Sequence, residues 1–152
     1  MRGLVLDFGG VLAGPGTDAA ALGGILAEVR RRGVRTAILS NDPGGAAAAP
    51  LRDLGRGRLV DEVVLSADVG TAKPDPRSYL AVARRLGLEP SVCVFVDDLR
   101  VNVDGAVAAG MVGVHHADAA EVVAELTVLF GLDDPSQTGA ARRDEDERDA
   151  GR

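Results

Sequence analysis

Five side chains carry the chemical promise of this 152-residue chain: Asp7, Ser40, Lys73 and the adjacent pair Asp97-Asp98. Asp7 follows the apolar run Leu4-Val5-Leu6, Ser40 follows Ala37-Ile38-Leu39, and the acidic pair follows Val94-Phe95-Val96. Lys73 stands in the loop beyond Glu62-Val63-Val64-Leu65. Three carboxylates gathered at one sheet edge repel one another and raise their own pKa values unless a cation sits among them. Hard oxygen donors without His or Cys suit Mg²⁺, which keeps several waters and is completed by a substrate phosphate. Lys73 adds an ammonium that can orient Asp7 and neutralise a phosphoryl oxygen. Ser40 offers a hydroxyl, and Asn41 amide groups, for another phosphoryl oxygen. Gly9 and Gly10 let the backbone approach a bound group closely, which makes Gly10 a further candidate phosphate contact. Such an electropositive cradle suits phosphoryl transfer, with Asp7 as the nucleophile that forms an aspartyl-phosphate.

Usage supports the choice of Lys73. Of the 17 basic residues it is the one lysine, the rest being arginine. A site that wants a compact ammonium rather than a planar fork explains a lysine in that background.

The elements that must position these residues follow from the apolar pattern. Short apolar runs ending at Leu6, Leu39, Leu65, Val96 and Val114 read as strands buried on both faces, as in a parallel sheet. Between them the spacing turns helical. Thr17 or Asp18 caps a helix that buries Leu22, Ile25, Leu26 and Val29 and stops at Gly33. A short helix is expected around residues 46–54, and a loop from Ser66 to Thr71. Asp75 and Pro76 open a helix that carries Tyr79, Val82, Ala83 and Leu86 and closes at Gly87. Another runs from about Leu99 to Ala109, and an Asp118/Glu121 capping box opens the last, with Val122, Leu126, Leu129 and Phe130 inward. Strand and helix alternating five times imply an α/β fold: a Rossmann-like three-layer α/β/α sandwich around a five-stranded parallel sheet. The domain is expected to span residues 1–132, and the Asp-, Glu- and Arg-rich segment 133–152 to be a disordered tail.

Composition narrows the partners. A net charge of −6 without a basic stripe argues against nucleic acid and against an anionic membrane surface. No apolar stretch approaches a membrane span, and the few residues before Asp7 are too short for a signal peptide. The lone Cys93 lies in an apolar run and reads as core packing, so a reducing, cytoplasmic setting is expected. Tyr79 also reads as core, and His115 and His116 as structural or solvent-facing.

Taken in chain order, these residues resemble the haloacid dehalogenase superfamily of hydrolases. Its first motif, a nucleophilic aspartate closing strand one, matches L-V-L-D-F-G-G-V-L at Asp7. The second, a serine or threonine closing strand two, matches I-L-S-N-D at Ser40, and the third, lysine before proline, matches G-T-A-K-P-D-P at Lys73. The fourth, a carboxylate pair, matches V-F-V-D-D-L-R-V-N at Asp97 and Asp98, with Asn102 in the position that supports it. The resemblance covers roughly residues 1–130. It implies Mg²⁺ held by Asp7, the Gly9 carbonyl and Asp98, with Asp97 acting through a water. A phosphoacceptor receiver domain uses similar residue types, but in a different order along the chain.

Two departures qualify the expected activity, a phosphatase acting on phosphate monoesters. Family phosphatases carry a second aspartate two residues after the nucleophile as general acid and base, where this chain has Gly9. Asp42 is a weak substitute for it. The alternative is a binding or regulatory module that keeps the Mg²⁺ and phosphate site but turns over slowly or not at all. Relatives also insert a helical cap between the first two motifs, and only one helix fits between Leu12 and Arg35. Without a cap domain the site is expected to be open. It would take either a small-molecule phosphate ester, a bulkier phosphorylated substrate, or the cover of a second subunit in a homodimer.

Overall fold

Alternating side-chain direction along three strands buried on both faces explains how one sheet supports two hydrophobic layers. The computed structural model describes residues 1–132; the expected tail, 133–152, lies outside the described residues. Leu4 and Leu6 of β1 (Gly3–Leu6) point to one face and Val5 to the other, all fully buried. The same split places Ile38 of β2 (Arg35–Ser40) opposite Ala37 and Leu39, and Val94 and Val96 of β4 (Cys93–Asp97) opposite Phe95. The first face packs on α1 (Ala19–Arg31) and α6 (Ala119–Phe130) through Leu22, Leu26, Val122 and Leu126. The second packs on α4 (Pro76–Leu86) and α5 (Arg100–Ala108) through Tyr79, Val82, Leu86 and Ala106. Each such side chain withdrawn from water contributes about 1.5–3 kcal/mol before chain entropy is set against it.

The sheet is parallel throughout and completed by β3 (Glu62–Leu65) and β5 (Val112–His115) in the order β3-β2-β1-β4-β5. The chain builds outward from β1 to β3, then crosses back to lay β4 on the other side of β1. That reversal opens a crevice at the carboxyl ends of β1 and β4, the place where open α/β sheets bind ligands. Asp7 follows β1 and Asp97 closes β4, so both acidic groups stand at this switch point.

Local signals act as the sequence implies. Asp18 caps α1 through Ala21 N–H (3.0 Å), Asp75 caps α4 through Arg77 N–H (2.9 Å), and Asp118 caps α6 through Glu121 N–H (3.0 Å). Two helices fall where expected with slightly different bounds, and one expected loop is corrected. The region 46–54 is a 3₁₀ turn, Ala46–Ala48, running into a four-residue α2 (Ala49–Arg52), and it stops early because Gly55, Arg56 and Gly57 form a turn with positive φ at Arg56 and Gly57. Ser66–Val69 forms a helical turn, α3, rather than loop; Asp68 caps it by accepting from Leu65 N–H at 3.2 Å. The helix after β4 begins at Arg100, one residue later than expected. No helix among the described residues is long and apolar enough to cross a membrane.

Within α5, Gly105 marks the closest approach of this layer to the Lys73 loop. A Cβ there would stand 2.8 Å from the Pro74 carbonyl oxygen and 2.9 Å from the Tyr79 hydroxyl. In an open helix, Gly→Ala adds about 0.5–1 kcal/mol of stability. Overpacking against backbone costs about 1–3 kcal/mol, so here the sign reverses. Gly105→Ala therefore lowers the melting temperature in a thermal scan; an unchanged or raised midpoint contradicts this packing.

Candidate active site

The site is built around one ammonium. Lys73 is buried, and its Nζ lies 3.0 Å from Asp7 Oδ1 and 2.9 Å from Asp97 Oδ2. Asp97 is fully buried, so its charge must be met locally. Oδ2 accepts from Lys73 and from Asn102 Nδ2 (3.1 Å), and Oδ1 accepts from Leu99 N–H (2.9 Å). The last contact also tethers the start of α5. With both oxygens occupied, Asp97 is an anchor for Lys73 and for the following helix.

Asp7 is held differently. Its Oδ1 takes both of its donors, Phe8 N–H (2.8 Å) and Lys73 Nζ, and among the described residues Oδ2 takes none. One oxygen is thus oriented while the other faces the crevice. Asp98 completes the acidic group, its carboxylate against Gly10 and its backbone carbonyl 2.9 Å from His115 Nε2. Gly10 is required twice: its φ is +78°, and any Cβ would collide with the Asp98 carboxylate. Gly9 is the opposite case. A Cβ there would meet nothing within 4 Å, and its φ lies outside the left-handed range.

Ser40 is half-buried at the end of β2, in register with Leu65, and shares the wall of an adjoining cleft with Phe8 and Asp42. Asn41, expected to offer its amide to a phosphate, uses its side chain otherwise. Its Oδ1 accepts from Lys73 N–H (2.8 Å) and its Nδ2 donates to the Lys73 carbonyl (3.1 Å). The pair clamps the Lys73 backbone as a strand partner would. Asp42 Oδ1 accepts from Gly44 N–H (2.7 Å), which holds it in the turn.

Sequence reasoning overlooked the brace behind the site. Tyr79, read simply as core, is fully buried and donates its hydroxyl to the Asn102 carbonyl at 2.6 Å. Its ring packs edge-on against Phe95, with centroids 5.2 Å apart. The Lys73 ammonium lies 5.4 Å from the centre of the Phe95 ring. A phenolic group at a core helix position was the available signal, since a buried Tyr needs a partner.

Charge decides what this arrangement can hold. Asp7, Asp97 and Asp98 each offer an oxygen, and these atoms lie within 4.8 Å of one another. With one ammonium against three carboxylates the ionised group is two charges short of neutral. Burial pushes the Asp7 carboxyl up to about 6, against the pull of Lys73 and with help from Asp97. Burial and the neighbouring Asp97 also push Asp98 upward. An all-oxygen donor set lacking two positive charges fits a divalent hard cation such as Mg²⁺.

A family model for haloacid dehalogenase-like hydrolases matches residues 20–110. Over 92 residues the chain is 42% identical to a phosphatase of Mycobacterium tuberculosis, covering 57% of this chain and 40% of that protein. Over 130 residues it is 33% identical to a phosphoglycolate phosphatase of Rhodospirillum rubrum, covering 84% of this chain and 54% of that one. The chain thus spans about half the length of these relatives. A crystal structure of an uncharacterised Corynebacterium glutamicum protein superposes with a TM-score of 0.82 at 45% identity, covering 86% of this chain and 96% of that one.

Between the ordinary carboxyl value of 3.8 and about 6, Asp7 in the folded protein holds a proton that the unfolded chain has released. Stability of the metal-free protein therefore falls as pH rises through that window. A divalent cation binds only the ionised form, so its stabilisation grows over the same range. Thermal scans from pH 4.5 to 7.5 should show a Mg²⁺-induced rise in midpoint that is small at the acid end and larger above pH 6. Asp7→Asn should flatten both trends; a Mg²⁺ effect independent of pH and of Asp7 would contradict this assignment.

Proposed function

The chain belongs to the haloacid dehalogenase-like hydrolases, and we propose that within them it is a Mg²⁺-dependent phosphatase that hydrolyses phosphate monoesters through Asp7. The observation that carries this reading is the bridge from Lys73 to Asp7 Oδ1 and Asp97 Oδ2, which leaves Asp7 Oδ2 unengaged. Asp7 Oδ2 attacks phosphorus, the new O–P bond forms as the ester P–O bond breaks, and the alcohol departs with a proton from solvent. Water then attacks the aspartyl-phosphate, releasing inorganic phosphate and restoring the carboxylate. Lys73 holds Asp7 in line and offsets the charge on the phosphoryl oxygens. Ser40 and the Gly10 backbone meet the same oxygens, and Asn41 acts on them through the Lys73 backbone it clamps. Asp7, the Gly9 carbonyl and Asp98 would hold Mg²⁺, with Asp97 behind a water because its own oxygens are already engaged. When bound, the ion neutralises charge on the transferring group.

Gly9 favours a second reading, a module that binds phosphate but turns over poorly. Nothing at this position donates a proton to the leaving group, and general acid–base help is worth about 10²–10⁴-fold. Esters with good leaving groups need that help least. The open surroundings of Gly9 leave room for the missing carboxyl group.

Both readings meet in one assay. With Mg²⁺ the protein should hydrolyse 4-nitrophenyl phosphate, and Asp7→Asn should reduce turnover by about 10³-fold or more. Gly9→Asp should speed hydrolysis of an alkyl phosphate by about 10²-fold, and that of the nitrophenyl ester much less. Tight Mg²⁺ and phosphate binding with no turnover above Asp7→Asn selects the binding module instead.

A further inference from the structure

A cleft of about 590 Å³ adjoins the site through Ser40 and through Phe8, the residue after Asp7. One wall comes from the residues after Asp7, namely Phe8, Leu12 and Ala19. The other comes from the segment after Ser40, where Ala47, Pro50 and Leu51 are followed by Leu54 and Leu59. Ser40 and Asp42 are the polar members of the lining. We propose that this cleft seats the alcohol portion of the phosphate ester, and that the portion it takes is uncharged and apolar, an aryl or branched alkyl group. The inference rests on the phosphatase reading and names its substrate class.

Continuity with the site places the leaving group here. Phe8 adjoins Asp7 and donates its N–H to Asp7 Oδ1, while Ser40 belongs both to the sheet edge and to the cleft wall. The group carried by the ester oxygen of a phosphate held at Asp7 and Lys73 can then turn along the wall that Ser40 and Phe8 begin. The volume falls within the range of small-molecule sites. Charge sets the sign of the preference. Asp42, pinned by Gly44 N–H, is the one charged residue of the lining among the described residues. The nearby Arg52, which also acts on Asp42, is paired with Asp68, so a carboxylate or second phosphate finds no free cation in the wall. A sugar would bring several hydroxyls to a wall that offers Ser40 and Asp42 alone, so much of its hydrogen bonding with water would be lost. Phe8, Leu54 and Leu59 are half-buried in the free protein, and an apolar guest completes their burial.

The test compares 1-naphthyl phosphate with phenyl phosphate, whose leaving groups have similar acidity but differ in apolar size. The kcat/KM ratio should favour the naphthyl ester by about 10-fold or more. Glycerol 3-phosphate should be poorer than a branched alkyl phosphate of similar length. Ala47→Asp, at an exposed position in the lining, should cut the naphthyl-to-phenyl ratio several-fold, and Leu54→Ala should lower it by removing apolar wall that the second ring would touch. Val128→Asp, on the far exposed face of α6, should leave the ratio as it is. Hydrolysis of both aryl esters at equal kcat/KM, insensitive to Ala47→Asp and Leu54→Ala, overturns the proposal. So does a change of oligomeric state on Ala47→Asp with the ratio unaltered, which assigns the cleft to a second copy. Absence of Mg²⁺-dependent turnover of every ester, 4-nitrophenyl phosphate included, overturns the phosphatase reading and this inference with it.

Discussion

A buried ammonium shared by two carboxylates is the constraint to which the rest of the fold conforms. Burying such a cluster is expensive, and well-packed apolar residues of similar volume often serve stability as well or better. The cost is met here by saturating the partners. Asp97 accepts three hydrogen bonds, Lys73 spans two acids, and the backbone of Lys73 is itself clamped by Asn41. The oxygen of Asp7 without a donor among the described residues lies close to the half of the acidic group that Lys73 does not bridge, the Asp98 carboxylate. The excess negative charge is thereby directed to the crevice rather than dispersed through the core.

Strand order makes that concentration possible. Because β1 sits in the centre with β4 beside it, Asp7 and Asp97 are neighbours in space though 90 residues apart in sequence. Lys73 reaches them from the loop before α4, and Tyr79 of α4 is tied to α5 through the Asn102 carbonyl. Tyr79 to Asn102, Asn102 to Asp97, and Asp97 to Lys73 form a continuous line of hydrogen bonds from the apolar layer to the site. The site is thus supported from behind by groups that belong to the core, as a rigid first layer requires.

The parts of this arrangement that could be read in advance are those set by periodicity and by chain ends of strands. Apolar runs that stop at a polar residue located Asp7, Ser40 and the Asp97-Asp98 pair, and the capping residues located α1, α4 and α6. Side-chain direction beyond a strand has no such period. Asn41 follows a strand as a phosphate-binding amide would, yet its amide turns to the Lys73 backbone. The short α3 was unreadable for a related reason, since four residues complete barely one helical turn and show no repeat. The cleft was hidden because its walls come from two separate segments whose leucines look like ordinary core residues.

Gly9 and Gly10 show how two identical residues divide the work of one turn. At position 10 the positive φ and the crowding Asp98 carboxylate allow no side chain, so the glycine there is a requirement of geometry. At position 9 neither restriction applies, and the glycine is a choice that leaves space beside the nucleophile. Between β1 and β2 the chain provides only α1. Under the proposed reading, selectivity comes from the core's own surface, and the apolar cleft between the residues following Asp7 and those following Ser40 is the part of it that Ser40 shares. Under the proposed phosphatase reading, the glycine at position 9 and this apolar wall together favour substrates whose leaving groups depart readily and whose bulk is apolar.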